Sequence, residues 1–217
     1  MGITVTTTAG TTALTTLTAV KDALQLTVDT YDALLERMIR AASDAISQYA
    51  GRVYARQDYV ETLPGNDWPH LALTNTPIVG TPTILIDSEP VTDFVVQDAD
   101  AGMLYREVGW VREAWVGWAV ERYTLPSTEQ HNVNVTYTAG YLLPGEDDRN
   151  LPYDVEEACI ITVCAWHRKE QRGGGDVQSR KVGDLAITYA DQTNAQGVVT
   201  AAGLPPDARA LISRRVL

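Results

Sequence analysis

The residues able to do acid–base or metal chemistry in this chain are few and scattered. Its three histidines are His70 beside Pro69 in a turn, His131 at the start of a strand-like run, and His167 closing an apolar helix. Cys164 and His167 share one helix face at i, i+3, the spacing of two metal ligands. The sequence identifies no third ligand, so both read as structural. Cys159 and Cys164 are turned about 140° apart on that same helix. They therefore cannot bond to one another, they lack a C-x2-C spacing, and they read as buried thiols. Carboxylates gather at Glu146-Asp147-Asp148 and at Asp154, Glu156 and Glu157. The first group reads as a solvated loop. The second falls in the first turn of a helix, where acids complement the free N–H groups. A metal site or a glycosidase-type pair is built from such groups, but any chain this acidic offers them. No GxSxG elbow or HExxH motif occurs. The triple glycine at 173–175 has neither GxGxxG nor GxxxxGK[ST] spacing and reads as a flexible connection. The sequence thus assigns no catalytic residue, no cofactor site and no metal site, and the reading is of a non-enzyme.

The cations are more informative. Arg168, Lys169, Arg172, Arg180 and Lys181 bracket the glycine run, and Arg209, Arg214 and Arg215 crowd the last helix. In a chain of net charge −11 and sequence pI near 4.6, such clusters are candidate docking surfaces for an acidic partner or DNA. The alternative is a solvated surface whose charge simply favours helix C-termini. The same acidity excludes a protein that grips nucleic acid over its whole surface, because phosphate binding needs clustered Lys and Arg. Two cysteines and an N-terminus without a basic, apolar leader suggest a reducing, cytosolic setting.

The elements that position these residues are legible from periodicity. The run Ala158–Trp166 (ACIITVCAW) is apolar except for Thr162. It is too short for a membrane span, which needs about 20 residues, so it is the central member of a packed helical core. Strand-like NVNVTYTAGY and the loop LLPGEDDRN lead into it. Upstream, Met1–Thr16 is a Thr/Ala/Gly run expected to be a mobile arm. Leu17–Leu26 carries Leu17, Val20 and Leu24 at helical spacing, with Thr18 as a cap. Asp29 is the expected N-cap of a longer helix over Tyr31–Arg52. Its stripe is Leu35, Met38, Ile39, Ala42, Ala45, Ile46 and Tyr49, with Gly51 ending it.

From Val53 to Tyr141 the texture changes to short β-rich runs (DYVETL, LAL, TILI, FVVQ, MLYR, VNVTY) separated by turn signals. The even spacing predicts a small antiparallel sandwich or barrel. Trp68, Trp110, Trp115 and Trp118 fall inside it. A row of tryptophans is a platform for a sugar or a base, or else ordinary core and sheet-face packing. The chain closes with the strand-like Asp184–Tyr189 and a short helix (ARALISRRV) introduced by Pro205-Pro206. The expected class is α+β: a small helical bundle built from both sequence ends, with an inserted antiparallel β-sandwich or barrel-like module. The expected divisions are an arm over 1–16, a discontinuous helical core over 17–52 plus 151–217, the β-module over 53–141, and a connecting loop over 142–150.

The order of segments resembles the head–tail connector (adaptor) proteins of long-tailed bacteriophages. The carrying motifs are DALLxxxIxAASxAIxxYxGR within Tyr31–Arg52, LxLxxxPI over Leu71–Ile78, VxYTAGY over Val135–Tyr141, and LPxDVExAC over Leu151–Cys159. The β-insert is larger than that of the smallest members. The resemblance implies a non-enzymatic virion protein at the head–tail interface, assembled in the host cytoplasm and without a membrane partner. It implies a self-ring of about a dozen subunits. That ring would lie between the portal protein and the head-closure (stopper) or tail-terminator protein. DNA would pass through its centre without sequence-specific binding, and an acidic channel lets a duplex slide by repelling its phosphates. Arg168, Lys169, Arg172, Arg180, Lys181, Arg209, Arg214 and Arg215 are the candidate partner-binding residues. The competing reading is a tail or baseplate-type β-rich module recognising a receptor or glycan through its tryptophans.

Overall fold

The computed structural model describes residues 2–65, 68–110, 113–116, 119–122, 132–171, 179–182, 185–188 and 203–213; of these, 113–116, 119–122, 179–182 and 185–188 are described as backbone only. The chain divides into two compact units, Met1–Thr11 with Val53–Leu142, and Thr12–Arg52 with Leu143–Leu217.

The first unit is a β-sandwich. Its strands are β1 (Gly2–Thr7), β2 (Gln57–Leu63), β3 (His70–Ala72), β4 (Ile78–Ile86), β5 (Glu89–Val91), β6 (Val95–Asp98), β7 (Met103–Tyr105), β8 (Glu113–Val116), β9 (Ala119–Arg122) and β10 (Val133–Ala139). A five-stranded sheet runs β1-β2-β10-β4-β5, a smaller one runs β3-β7-β6, and β8–β9 form a hairpin. All the ladders are antiparallel. Period-2 alternation places Tyr59, Glu61 and Leu63 of β2, and Val133, Val135, Tyr137 and Ala139 of β10, on the inner face. Ile78, Ile84 and Ile86 extend that face, and Leu71, Leu73, Leu104 and Trp110 pack in the same core. Each such aliphatic side chain contributes roughly 1.5–3 kcal/mol by leaving water. The β4–β5 hairpin turns through Asp87 and Ser88, both at positive φ, as a two-residue hairpin loop requires. Asp98 Oδ1 accepts from the N–H groups of Asp100 and Ala101 at 3.0 Å, which closes the turn into β7.

The N-terminal run departs from the expected mobile arm. Gly2–Thr7 is strand β1, laid along β2 from Gly2 opposite Thr62 to Thr7 opposite Asp58. Its Thr/Val/Ile content suits an extended, half-solvated edge, a signal masked by its low hydrophobicity. Further on, Leu14 and Thr15 are buried.

The second unit is helical: α1 (Leu17–Leu24), α2 (Asp32–Ala50), α3 (Tyr153–Gln171) and α4 (Pro206–Ser213), with a β11–β12 hairpin (Ser179–Val182, Leu185–Thr188). The helix expected over Leu17–Leu26 is capped by Thr16, whose Oγ1 accepts from Ala19 N at 3.2 Å, and not by Thr18. It ends earlier, with Gln25 in the left-handed region. Asp29 does not cap α2; it accepts from Lys21 Nζ at 2.6 Å instead, and α2 starts at Asp32 without a side-chain cap. The C-terminus is as expected: Gly51, at φ 65°, donates back to Gln48. Leu35, Met38, Ile39, Ala42 and Ile46 are buried, while Ala45 and Tyr49 are half-buried. Helix α3 packs against α1, α2 and α4, so the apolar run Ala158–Trp166 occupies the centre of this unit.

Candidate functional site

The residues that suggested chemistry are held in structural roles. Cys159 and Cys164 are both free thiols and both buried. Burial pushes the Cys159 thiol up to about 12, against the pull of the Ser43 hydroxyl 3.7 Å away. Burial also raises Cys164, with Arg168 opposing it. Such thiols are poor nucleophiles, since the thiolate is the reactive form. His167 is buried, edge-on to Tyr31 at 5.6 Å between ring centroids. Among the described residues, no three His, Cys, Asp or Glu side chains gather as a metal site. His70 lies exposed on β3 against Tyr105, and His131 lies outside the described residues.

The carboxylates also resolve into local bonding. Glu146 accepts from Leu143 N at 2.9 Å, and Asp147 and Asp148 are exposed. Asp154 accepts from the neighbouring Val155 N, at the N-terminus of α3. Glu156 is buried and takes a 2.5 Å bond from Arg149 Nη1. The Arg149 guanidinium also donates to Leu151 O and lies 4.3 Å from the Tyr153 ring centroid. The loop before α3 is thus clamped to the helix by one arginine, a role the acid count did not reveal.

Of the candidate partner-binding residues, Arg168 and Lys169 stand exposed in the last turn of α3. Arg209 lies half-buried on α4, which packs against α3 and α2 and buries Ala208 and Ile212. Trp166 donates to Gly203 O at 3.2 Å and ties the entry of α4 to α3. Arg180 and Lys181 lie in β11, where only the backbone is described. Arg172, Arg214, Arg215 and the glycine run 173–175 lie outside the described residues. The structure thus brings Arg168 and Lys169 together on α3 and places Arg209 on its neighbour.

The tryptophan row does not form a platform within the described residues. Trp110 is fully buried and donates to Pro69 O at 3.1 Å, whereas Trp68 is 74% exposed. Trp118, like the turn residues 66–67, lies outside the described residues, and Trp115 is described as backbone only. Sequence reasoning missed a different polar site. Glu61, 0% exposed, accepts from Thr74 N at 3.1 Å, Thr74 Oγ1 at 2.5 Å and Tyr137 OH at 2.7 Å. The Tyr137 oxygen in turn accepts from Asn75 N at 3.2 Å. The available signal was a lone acid at an inward position of an alternating strand.

Among the described residues, the cysteines, His167, Glu146, Asp154 and Glu156 are thus engaged in packing or local bonding. The sequence matches the head completion protein family over residues 13–212, and the chain belongs to that family. It is a structural protein of the virion, a head–tail connector at the head–tail interface. No sequence among curated proteins matches it. Chains of several solved structures share its fold, among them the following. A chain in the neck of an empty gene transfer agent (GTA) particle computed with C6 symmetry is 18% identical, with a TM-score of 0.55. A chain in the virion of the native GTA particle is 19% identical, with a TM-score of 0.54. A chain in the neck of the native particle computed with C12 symmetry is 18% identical, also with a TM-score of 0.54. Each comparison covers 99% of this chain and 94% of the other. Nothing among the described residues or in the comparisons supports the receptor- or glycan-binding alternative.

Proposed function

We propose that about a dozen copies of this chain form a ring that docks on the portal protein and carries the head-closure or tail-terminator protein. DNA passes through its centre without sequence-specific contact, and the protein catalyses no reaction. The observation that carries this reading is family membership across nearly the whole chain, together with a fold shared with chains in GTA necks computed with C6 and C12 symmetry. The net charge of −11 supports passage of DNA rather than grip. The C-terminal cations Arg209, Arg214 and Arg215 meet the portal, and Arg168, Lys169, Arg172, Arg180 and Lys181 extend that basic surface. The β-sandwich and the helical unit act as separate modules, with the loop 142–150 at one of the chain's crossings between them.

Truncating residues 208–217 is a blunt test, because it strips Ala208 and Ile212 from the helical core. Charge reversal is cleaner. Arg168→Glu with Lys169→Glu, and Arg214→Glu with Arg215→Glu, should leave the fold intact and abolish co-sedimentation with the portal. Electron microscopy of the wild-type complex should show a closed ring. Undiminished portal binding by both reversed variants would discard the assigned surface; a chain that never assembles on a portal would discard the ring.

A further inference from the structure

Strand β1 has no part in the basic docking surface. Ile3 lies opposite Glu61 and Val5 opposite Tyr59, so both sit on the core-facing side of the sheet. Yet they are 42% and 41% exposed, and all six residues of β1 are exposed. Neither belongs to the buried core of the sandwich. The strand is therefore held by its main-chain ladder and by Thr6 Oγ1 donating to Asp58 O, a bond to the β2 backbone. Removing β1 withdraws no buried side chain from its own unit.

The chain on the other side is firmly anchored. Leu14 is buried and its N–H donates to Ser43 Oγ at 3.0 Å, in the helical unit. Between Thr7 and Leu14 lies only Thr8–Ala13 (TAGTTA), in which a side chain added at Gly10 would meet nothing. Fully extended, this connection reaches about 24 Å. The ladder register shifts between Val5 and Thr7, where the strand joins the connection. The molecule thus carries a strand whose backbone bonds any identical strand would supply, on a short uncharged tether. It also carries the acceptor, the side of β2 along which β1 lies.

The geometry points to β1 as an exchanged strand: in the ring, each subunit lays its Gly2–Thr7 along β2 of the next copy. This rests on the ring reading above. Donor and acceptor are different surfaces, so the exchange can close as a reciprocal pair or as a ring, and in a ring each subunit gives its strand to one neighbour and receives one from the other. In the free chain the tether keeps a subunit's own strand at high effective concentration. In the ring a neighbour's strand is equally local, and the ladder is conserved.

Two singly substituted, differently tagged chains, Thr4→Cys and Val60→Cys, test this, since Thr4 and Val60 face one another in the ladder. They are co-assembled into necks and treated with a short bis-maleimide, with the doubly substituted chain as control. The control should crosslink within one chain when free. The mixed necks should give a crosslink between the two tags that is absent from the mixed free chains. Rings visible by microscopy without that inter-tag product would overturn the exchange and leave the ring reading standing. Failure to form rings at all would overturn both. Deleting residues 2–7 should leave the circular dichroism spectrum and portal binding near wild type and abolish ring closure; normal closed rings from that variant would also overturn the exchange.

Discussion

Replacing Tyr137 with Phe removes one oxygen and leaves the ring stacked on Tyr59 at 5.7 Å. That oxygen donates to the Glu61 carboxylate at 2.7 Å and accepts from Asn75 N at 3.2 Å. A hydrogen bond to a charged partner contributes about 1.5–3 kcal/mol, and a neutral one about 1 kcal/mol. Glu61 keeps its two bonds from Thr74, so its burial stays partly compensated and the loss should total about 2–4 kcal/mol. Urea denaturation followed by circular dichroism measures this, with Tyr153→Phe as the control. Tyr153 is 77% exposed, and its change should stay within about 0.5 kcal/mol. A double-mutant cycle with Glu61→Gln isolates the pair, for which coupling of about 1–3 kcal/mol is expected. If Tyr137→Phe were as stable as the parent, or if the two substitutions simply added, the buried network would have no energetic part in the sandwich.

Tyr137 and Cys159 are both held protonated by burial, the first well above its ordinary 10.0 and the second up to about 12 from 9.0. The unfolded chain releases these protons first as pH rises, so stability is complete below about pH 9 and falls above it, by up to about 1.4 kcal/mol per pH unit for each group. Cys159→Ser should flatten the lower part of that fall in a pH series of melts. Cys159 should resist a thiol reagent in the native chain at pH 8 and react in denaturant; rapid native alkylation there would contradict its burial. Gly140, at φ 108°, would place a Cβ 2.6 Å from Ala55 O, so Gly140→Ala should cost at least about 2 kcal/mol in chemical denaturation. Arg149→Met should lose about 1–3 kcal/mol by leaving Glu156 buried without its cation.

What the sequence made legible follows from which signals are periodic. The α2 stripe from Leu35 to Ile46, the Gly51 stop and the central place of Ala158–Trp166 came directly from helical spacing and apolar content. The runs that become β2 and β10 were legible from β-rich composition between turn signals, and which of their residues face inward came from the structure. Caps were less legible: Thr16, Thr18 and Asp29 are all plausible cap types, and only geometry shows that Thr16 reaches an N–H while Asp29 turns to Lys21. Strand β1 was hidden because its residues bury nothing, and burial is what hydrophobic patterning reports. β5 was hidden by Pro90, which breaks a strand pattern yet is tolerated at an edge. The docking residues are less accessible still. A contact surface between proteins leaves no period in one chain, so Arg168 and Lys169 stood out by charge alone. The Glu61 network escaped because its two partner residues, Thr74 and Tyr137, lie in separate segments, 13 and 76 positions away.

That network also constrains how the family can diverge. Glu61, Thr74 and Tyr137 meet only when β2 and β10 keep their register, since a slip of one residue would turn the carboxylate to the opposite face. Losing Glu61 alone strands the Tyr137 hydroxyl, and losing Tyr137 or the Thr74 hydroxyl alone leaves the buried carboxylate only partly bonded. Drift at these positions is therefore least costly as a coordinated replacement, from a polar trio to an apolar one. Lineages that retain the acid will retain its hydroxyl partners with it.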